Sequence, residues 1–225
     1  KAEEQFELAD KINHLAVANF AQIAKDKNIQ LVHISTDYVF DGTNHKPYTE
    51  TDSPNPESVY GKTKLAGEQV MQYINPANSI IIRTSWVYSS YGNNFVKTML
   101  RLGKEREELN VVVDQIGTPT HAADLAKAIL TILPKIKNED VEILHYSNEG
   151  VCSWFDFAKA IFKIQGLPVK VKPIESAEYP TPAKRPFYSV LNKTSIKEKY
   201  QLEVPYWKNS LDCCLKLITN SIVKI

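Results

Sequence analysis

Hydrophobic positions along the chain alternate between two rhythms. Over residues 3–27 the apolar side chains Leu8, Ile12, Leu15, Ala16, Phe20 and Ile23 fall at helical spacing, which predicts an amphipathic helix burying this face. Asn28 ends it, and residues 29–35 form a short apolar run that reads as a buried strand. A helix is expected from Asn55-Pro56 to about residue 74, then a strand over 79–85 and a helix over 93–107. A strand over 111–114, a helix over 121–133 closed by Pro134, and a strand over 141–146 follow. Ser153-Trp154 opens a further helix that reaches Gln165. Short β-branched strands separated by helices predict an α/β fold, a doubly wound parallel sheet covered on both faces.

After Gly166 the alternation weakens. Pro168, Pro173, Pro180, Pro182 and Pro186 interrupt the chain, and helical runs return at 193–200 and 206–218. The expected organisation is a sheet domain over 1–150 and a smaller region over 151–225, the two interleaved. Residues 41–59, rich in Pro, Gly, Thr, Asn and Asp, read as a long loop of the kind that commonly carries function. The eight glycines are widely spaced, so neither a G-x-G-x-x-G turn nor a Walker loop is present. The chain also opens on a helix. A dinucleotide-binding sheet normally begins with a strand and a glycine-rich turn, so the sheet is expected to lack its first strands.

Composition narrows the partners. Apolar residues at 43% and charged residues at 24% belong to an ordinary globular protein. A net charge of +1 supplies no attraction to nucleic acid or to an anionic membrane, and neither is expected as a partner. Three cysteines, with Cys213 and Cys214 adjacent in an apparent helix, suit thiols in a reducing cytoplasm better than a disulfide framework. The histidines at 14, 33, 45, 121 and 145 lack metal-ligand spacing, so no metal is expected.

Tyr60 and Lys64 stand four apart on a predicted helix and therefore share one face. With 11 tyrosines and abundant lysines, one such pair is what chance produces, so spacing alone is uninformative. Their position is more telling. An ammonium near a phenol lowers its pKa from the ordinary value of about 10, suiting it to proton exchange with an alcohol or ketone oxygen. Thr36, at a strand end, either hydrogen-bonds the same oxygen or caps the following turn. Asp37 and Tyr38 either bind a polar ligand at the carboxyl end of the sheet or serve the turn. Trp86 either stacks on a flat ligand or packs in the core, and Arg185 either holds a phosphate or lies free on the surface. No G-x-S-x-G elbow and no carboxylate pair offers a rival chemistry.

Ser35-Thr36-Asp37-Tyr38-Val39-Phe40-Asp41-Gly42 and Tyr60-Gly61-Lys62-Thr63-Lys64-Leu65-Ala66-Gly67-Glu68 resemble motifs of one family. So do Arg83-Thr84-Ser85-Trp86-Val87-Tyr88, Gly92-Asn93-Asn94-Phe95, Asp114-Gln115-Ile116-Gly117-Thr118-Pro119-Thr120 and Arg185-Pro186-Phe187-Tyr188-Ser189-Val190-Leu191. In that order they are similar to the dTDP-4-dehydrorhamnose reductases of the extended short-chain dehydrogenase/reductase superfamily, which have a Rossmann-like fold. The resemblance implies reduction of the 4-keto group of dTDP-4-dehydro-L-rhamnose by NADPH or NADH, for bacterial surface polysaccharide. It implies Tyr60 as general acid, Lys64 as the residue holding the nicotinamide ribose, and Thr36 as the third catalytic member. Ser35, Thr84 and Ser85 would lie with Tyr60 and Lys64 toward the cofactor. Asp37, Tyr38 and Trp86 would lie in the sugar-nucleotide pocket, with Asn93, Asn94 and Arg185 toward the diphosphate. It further implies a small C-terminal substrate-binding substructure and a possible homodimer. The family's initial strand and phosphate loop have no counterpart here, so this chain by itself is expected to be inactive. The fold also serves as a regulatory partner of methionine adenosyltransferase, and an epimerase is a further alternative; the intact Thr36, Tyr60 and Lys64 set favours an enzyme over a regulator, and the motifs at 35–42 and 114–120 favour the reductase over an epimerase.

Overall fold

The computed structural model describes residues 2–222. Helix α1 (Phe6–Asp10) passes through a π-helical turn into α2 (Ala16–Lys27), which Asn28 closes in the left-handed conformation at φ 50°. Strand β1 (Val32–Thr36), helix α3 (Val59–Ile74) and strand β2 (Ile80–Thr84) follow. Helix α3 starts later than Asn55-Pro56 suggested, because the Ser58 hydroxyl caps it by accepting from the Gly61 N–H at 3.0 Å. Asn55 ties down the loop instead, its backbone N–H on the Val39 carbonyl and its side chain on Asp41. The chain continues through β3 (Val87–Tyr88), α4 (Phe95–Glu105), β4 (Glu108–Val112), β5 (Ile116–Gly117), β6 (Thr120–His121) and α5 (Ala122–Ile132). It ends with β7 (Glu142–His145), β8 (Cys152–Ser153), α6 (Trp154–Gln165), β9 (Lys170–Ile174), α7 (Thr194–Tyr200) and α8 (Trp207–Ile222).

The main sheet has the order β1-β2-β7 and is parallel throughout, with Val32 opposite Ile80 and Ile80 opposite Glu142. Strand β2 is buried along its whole length. Ile81 packs with Val17, Ala21 and Met71 of α2 and α3 on one face, while Ile80 and Ile82 pack with Leu125, Ala128, Ile132 and Ile196 of α5 and α7 on the other. Both faces are therefore covered, as the alternating pattern predicted. Among the described residues strand β1 pairs only with β2, which leaves it at the sheet's edge.

Two expectations change. The strand predicted over 111–114 is β4, which does not join this sheet; it pairs in parallel with β9. Its burial alternates, Leu109 and Val111 inside and Glu108 and Asn110 outside, as suits a strand covered on one face. Strand β9 escapes the sequence reading because it carries Pro173, which an edge strand tolerates. The second core formed behind this pair joins Met99, Leu109, Phe157, Ile161, Trp207 and Leu211.

The other change concerns the first helix. Leu8, Ile12, Leu15, Phe20 and Ile23, expected to be buried, are 46–60% exposed, whereas Ala9, Val17, Ala21 and Ala24 form the inner face. Close approach decides this. A Cβ on Gly67 of α3 would meet the Asn13 carbonyl oxygen at 2.1 Å, so the helices touch at backbone distance. Contact that close selects small side chains and turns the bulky ones outward.

Candidate active site

The carboxyl end of β1 leads into a tight 3₁₀ turn, Asp37–Val39, that Thr36 caps by accepting from the Tyr38 N–H at 3.2 Å. Thr36 also donates its hydroxyl proton to Asp37 Oδ1 at 3.1 Å. The first turn of α3 lies directly against this turn. A Cβ at position 61 would stand 2.2 Å from the Tyr38 carbonyl oxygen, so Gly61 is what allows the approach. Tyr60 is thereby brought beside Tyr38, ring centroids 5.7 Å apart and edge to face. Glu3 completes the start of α3: its carboxylate accepts from the Val59 and Tyr60 N–H groups at 3.1 and 3.3 Å. Those donors have no partner within the helix, and a negative charge is favoured there.

These residues open onto a cavity of about 530 Å³ at the carboxyl end of the sheet. Ser35, Thr36, Asp37, Tyr38, Tyr60, Thr84, Trp86 and Arg185 all line it, drawn from β1, α3, the end of β2 and the proline-rich segment. Ligands of open α/β sheets bind at this edge. A second cavity of about 700 Å³ lies between α4, β4 and β9 and shares Trp154 and Arg185 with the first. Trp86 holds a left-handed backbone at φ 47°, unusual for a bulky residue, and its ring stacks on Trp154 at 3.6 Å between centroids.

Burial dominates the electrostatics. It pushes the Asp37 carboxyl up to about 6, with hydrogen bonds from Ser189 and Thr36 pulling the other way. The Tyr38 phenol rises to about 12, through burial first and the Asp37 charge second. Tyr60, expected to have a lowered pKa, instead has a raised one: burial raises it, the Thr36 hydroxyl partly offsets this, and the Asp37 charge adds to it. Lys64 does not offset the burial. Its ammonium turns to β1, donating to the Ile34 carbonyl at 2.6 Å and standing 3.3 Å from His33 Nε2, while burial lowers its own pKa to about 8.

The remaining candidates divide. The Ser35 hydroxyl donates to Glu68, which also holds Arg83 through two nitrogens, with Nη2 to Oε2 at 2.6 Å and Nε to Oε1 at 3.0 Å. The Ser85 hydroxyl donates to the Thr118 carbonyl. Thr84 differs from both, because its hydroxyl is buried at the cavity with no hydrogen-bond partner among the described residues. Asn94 caps α4, accepting from the Lys97 N–H at 3.2 Å and donating to the Ser89 carbonyl at 2.7 Å; neither it nor Asn93 lines the first cavity. Sequence reasoning missed Glu3, His33, Glu68 and Trp154 as neighbours of the site. Only Glu68 carried a signal, since it continues the Tyr60–Lys64 face one turn further.

A parallel sheet clothed on both faces, with a ligand-sized cavity at the carboxyl end of its strands, defines an α/β protein of Rossmann-like class. Comparison with known proteins narrows this class. The RmlD substrate binding domain family matches residues 1–220. A dTDP-4-dehydrorhamnose reductase of Sinorhizobium fredii is 44% identical over 218 residues, covering 93% of this chain and 73% of the relative. The crystal structure of a dTDP-4-dehydrorhamnose reductase from Clostridium acetobutylicum superposes with a TM-score of 0.92 at 46% identity, covering 97% of this chain and 76% of that one. That of the Bacillus anthracis enzyme in complex with NADP superposes at 0.91 and 42% identity, covering 96% and 75%. The chain belongs to the dTDP-4-dehydrorhamnose reductase family.

Proposed function

We propose that this protein reduces the 4-keto group of dTDP-4-dehydro-L-rhamnose to the alcohol of dTDP-L-rhamnose, with NADPH as reductant. The observation that carries the reading is the single cavity in which Thr36, Asp37, Tyr38 and Tyr60 meet at the carboxyl end of β1, with Lys64 behind them. The cofactor fits the groups present. The buried Thr84 hydroxyl lacks a partner among the described residues, and Lys64 has three N–H donors, of which β1 engages two. Lys64, Tyr60 and Thr84 are the residues that would hold the nicotinamide end; the hydroxyls of Ser35 and Ser85 are already engaged.

When bound, NADPH supplies the hydride that turns the carbonyl carbon into a carbinol. Tyr60 supplies the proton. Its raised pKa keeps the phenol protonated at neutral pH, the state required of an acid that donates to a ketone oxygen. Lys64, with a pKa of about 8, stays cationic, and β1 holds its ammonium with one N–H left for the nicotinamide ribose. Thr36 has one hydroxyl proton and gives it to Asp37, so its help at the reacting oxygen requires that bond to be exchanged. Arg185, shared by both cavities, is placed to hold the diphosphate while the nucleoside occupies the larger one.

The experiment is consumption of NADPH in the presence of dTDP-4-dehydro-L-rhamnose, with binding of the dTDP-sugar measured alongside. Tyr60→Phe is expected to reduce kcat/KM by about 10²–10⁴-fold while leaving sugar-nucleotide binding intact. Turnover unchanged in Tyr60→Phe rules out the proton donor, and neither turnover nor saturable binding of the dTDP-sugar rules out the reading.

A further inference from the structure

His33 lies on the edge strand β1, one residue before the chain enters the cavity wall at Ile34, and its imidazole faces α3. Its Nε2 is 3.3 Å from Lys64 Nζ, and the same Nζ is 2.6 Å from the Ile34 carbonyl oxygen. An ammonium has donors only. The short contact is therefore a hydrogen bond only if His33 Nε2 accepts, which places the ring proton on Nδ1 and leaves the imidazole neutral. A cationic imidazole here would set two positive charges against each other inside a largely buried site.

We propose that His33 is a positioning residue for the reaction: its neutral Nε2 and the Ile34 carbonyl together fix Lys64, leaving the third N–H of the ammonium for the cofactor ribose. The surroundings agree. Burial first, and the Lys64 charge second, push His33 down to about 4, so the acceptor form persists across the neutral range. The other charged groups nearby are Glu68 on α3 and Arg83 on β2, and they are engaged with each other. Lysine carries a long, rotatable stem that loses considerable freedom when held, so two acceptors on a rigid strand pre-organise what the helix alone leaves mobile. The inference deepens the reductase reading and rests on it.

The decisive measurement is made on the chain itself. Long-range proton–nitrogen correlation spectra should show His33 as the Nδ1–H tautomer at neutral pH, still neutral at about pH 5, with its signal assigned by its loss in His33→Gln. In Lys64→Met the His33 pKa should climb toward the ordinary value of about 6.5. An Nε2–H tautomer, titration near 6.5 in the wild-type chain, or titration unmoved in Lys64→Met overturns the proposal. Kinetics supply the second arm. His33→Phe, which removes the acceptor, should raise the KM for NADPH by about tenfold and leave the KM for the sugar nucleotide unchanged. His33→Gln, whose Oε1 can accept in place of Nε2, should bring that KM back to within about twofold. Equal losses in the two variants overturn the proposal. A wild-type chain with neither turnover nor saturable binding of the dTDP-sugar counts against the reductase reading alone, because the nitrogen spectra do not depend on it.

Discussion

Asp37 shows how residue-scale chemistry is set by enclosure. It is 2% exposed, and its pKa of about 6 lies above the ordinary carboxylate value. A folded-state pKa raised above the unfolded one means that folding takes up protons, so this contribution to stability is present below about pH 4 and lost as pH rises through 6. At pH 7 the wild-type protein therefore carries a buried charge that Asp37→Asn removes. The variant is expected to be more stable at pH 7 by on the order of 2 kcal/mol, with the difference closing near pH 4 in urea melts, while activity falls. At this scale Thr36, Tyr60 and Lys64 stood out as candidates in the ordered motifs but not in spacing. The direction of the Tyr60 shift was not legible, because it is set by burial, which only the tertiary structure decides. The four-residue offset places Lys64 on the right face; β1, thirty residues earlier in the chain, decides its partner.

At the scale of elements, the buried Glu68–Arg83 pair joins α3 to β2, and Ser35 ties β1 to both. Removing one partner leaves an uncompensated buried charge. Arg83→Met alone is expected to lower stability by about 3–5 kcal/mol, and the Glu68→Gln/Arg83→Met double variant to be less damaged than Arg83→Met. A double variant that loses the sum of the two single effects would show that the pair is not coupled. Helix boundaries were the most legible feature. Ser153 at the start of α6 forms a reciprocal capping box with Asp156, a purely local signal. Strand partners were not. Nothing local in 108–112 says that its partner is 170–174, and Pro173 disguises that partner. The first helix has the right spacing and the opposite inner face, because which stripe is buried depends on how closely α3 approaches.

For the whole molecule, one buried and one half-buried histidine set the response to acid. Burial and the charge of Arg83 hold His145 at about 3, and its Nδ1 donates to the Tyr48 carbonyl; His33 lies at about 4. Folded-state pKa values depressed below 6.5 mean that the unfolded chain binds more protons. Their contribution is complete above about pH 6.5 and is lost as pH falls through 4, against a smaller opposing change from Asp37. The melting temperature should fall between pH 7 and pH 4.5, and His145→Gln should flatten the slope; an unchanged slope would place the acid response elsewhere. The edge position of β1 gives a second global prediction. Amide hydrogen exchange should be faster in Val32–Thr36 than in Ile80–Thr84, which is paired on both sides and wholly buried. Equal protection would contradict an open edge.

The sequence alone determined the alternation of helix and strand, the parallel sheet with two covered faces, and the residues proposed to carry the chemistry. These follow from local periodicity, caps and ordered motifs, all encoded within a few residues. The tertiary structure decided the pairing of β4 with β9, the inner face of the first helix, the stacking of Trp86 on Trp154, and the commitment of Lys64 to β1. Each of those depends on distances between segments far apart in the chain, and on burial, which moves the pKa of Asp37, Tyr60 and Lys64 further than any neighbour in sequence does.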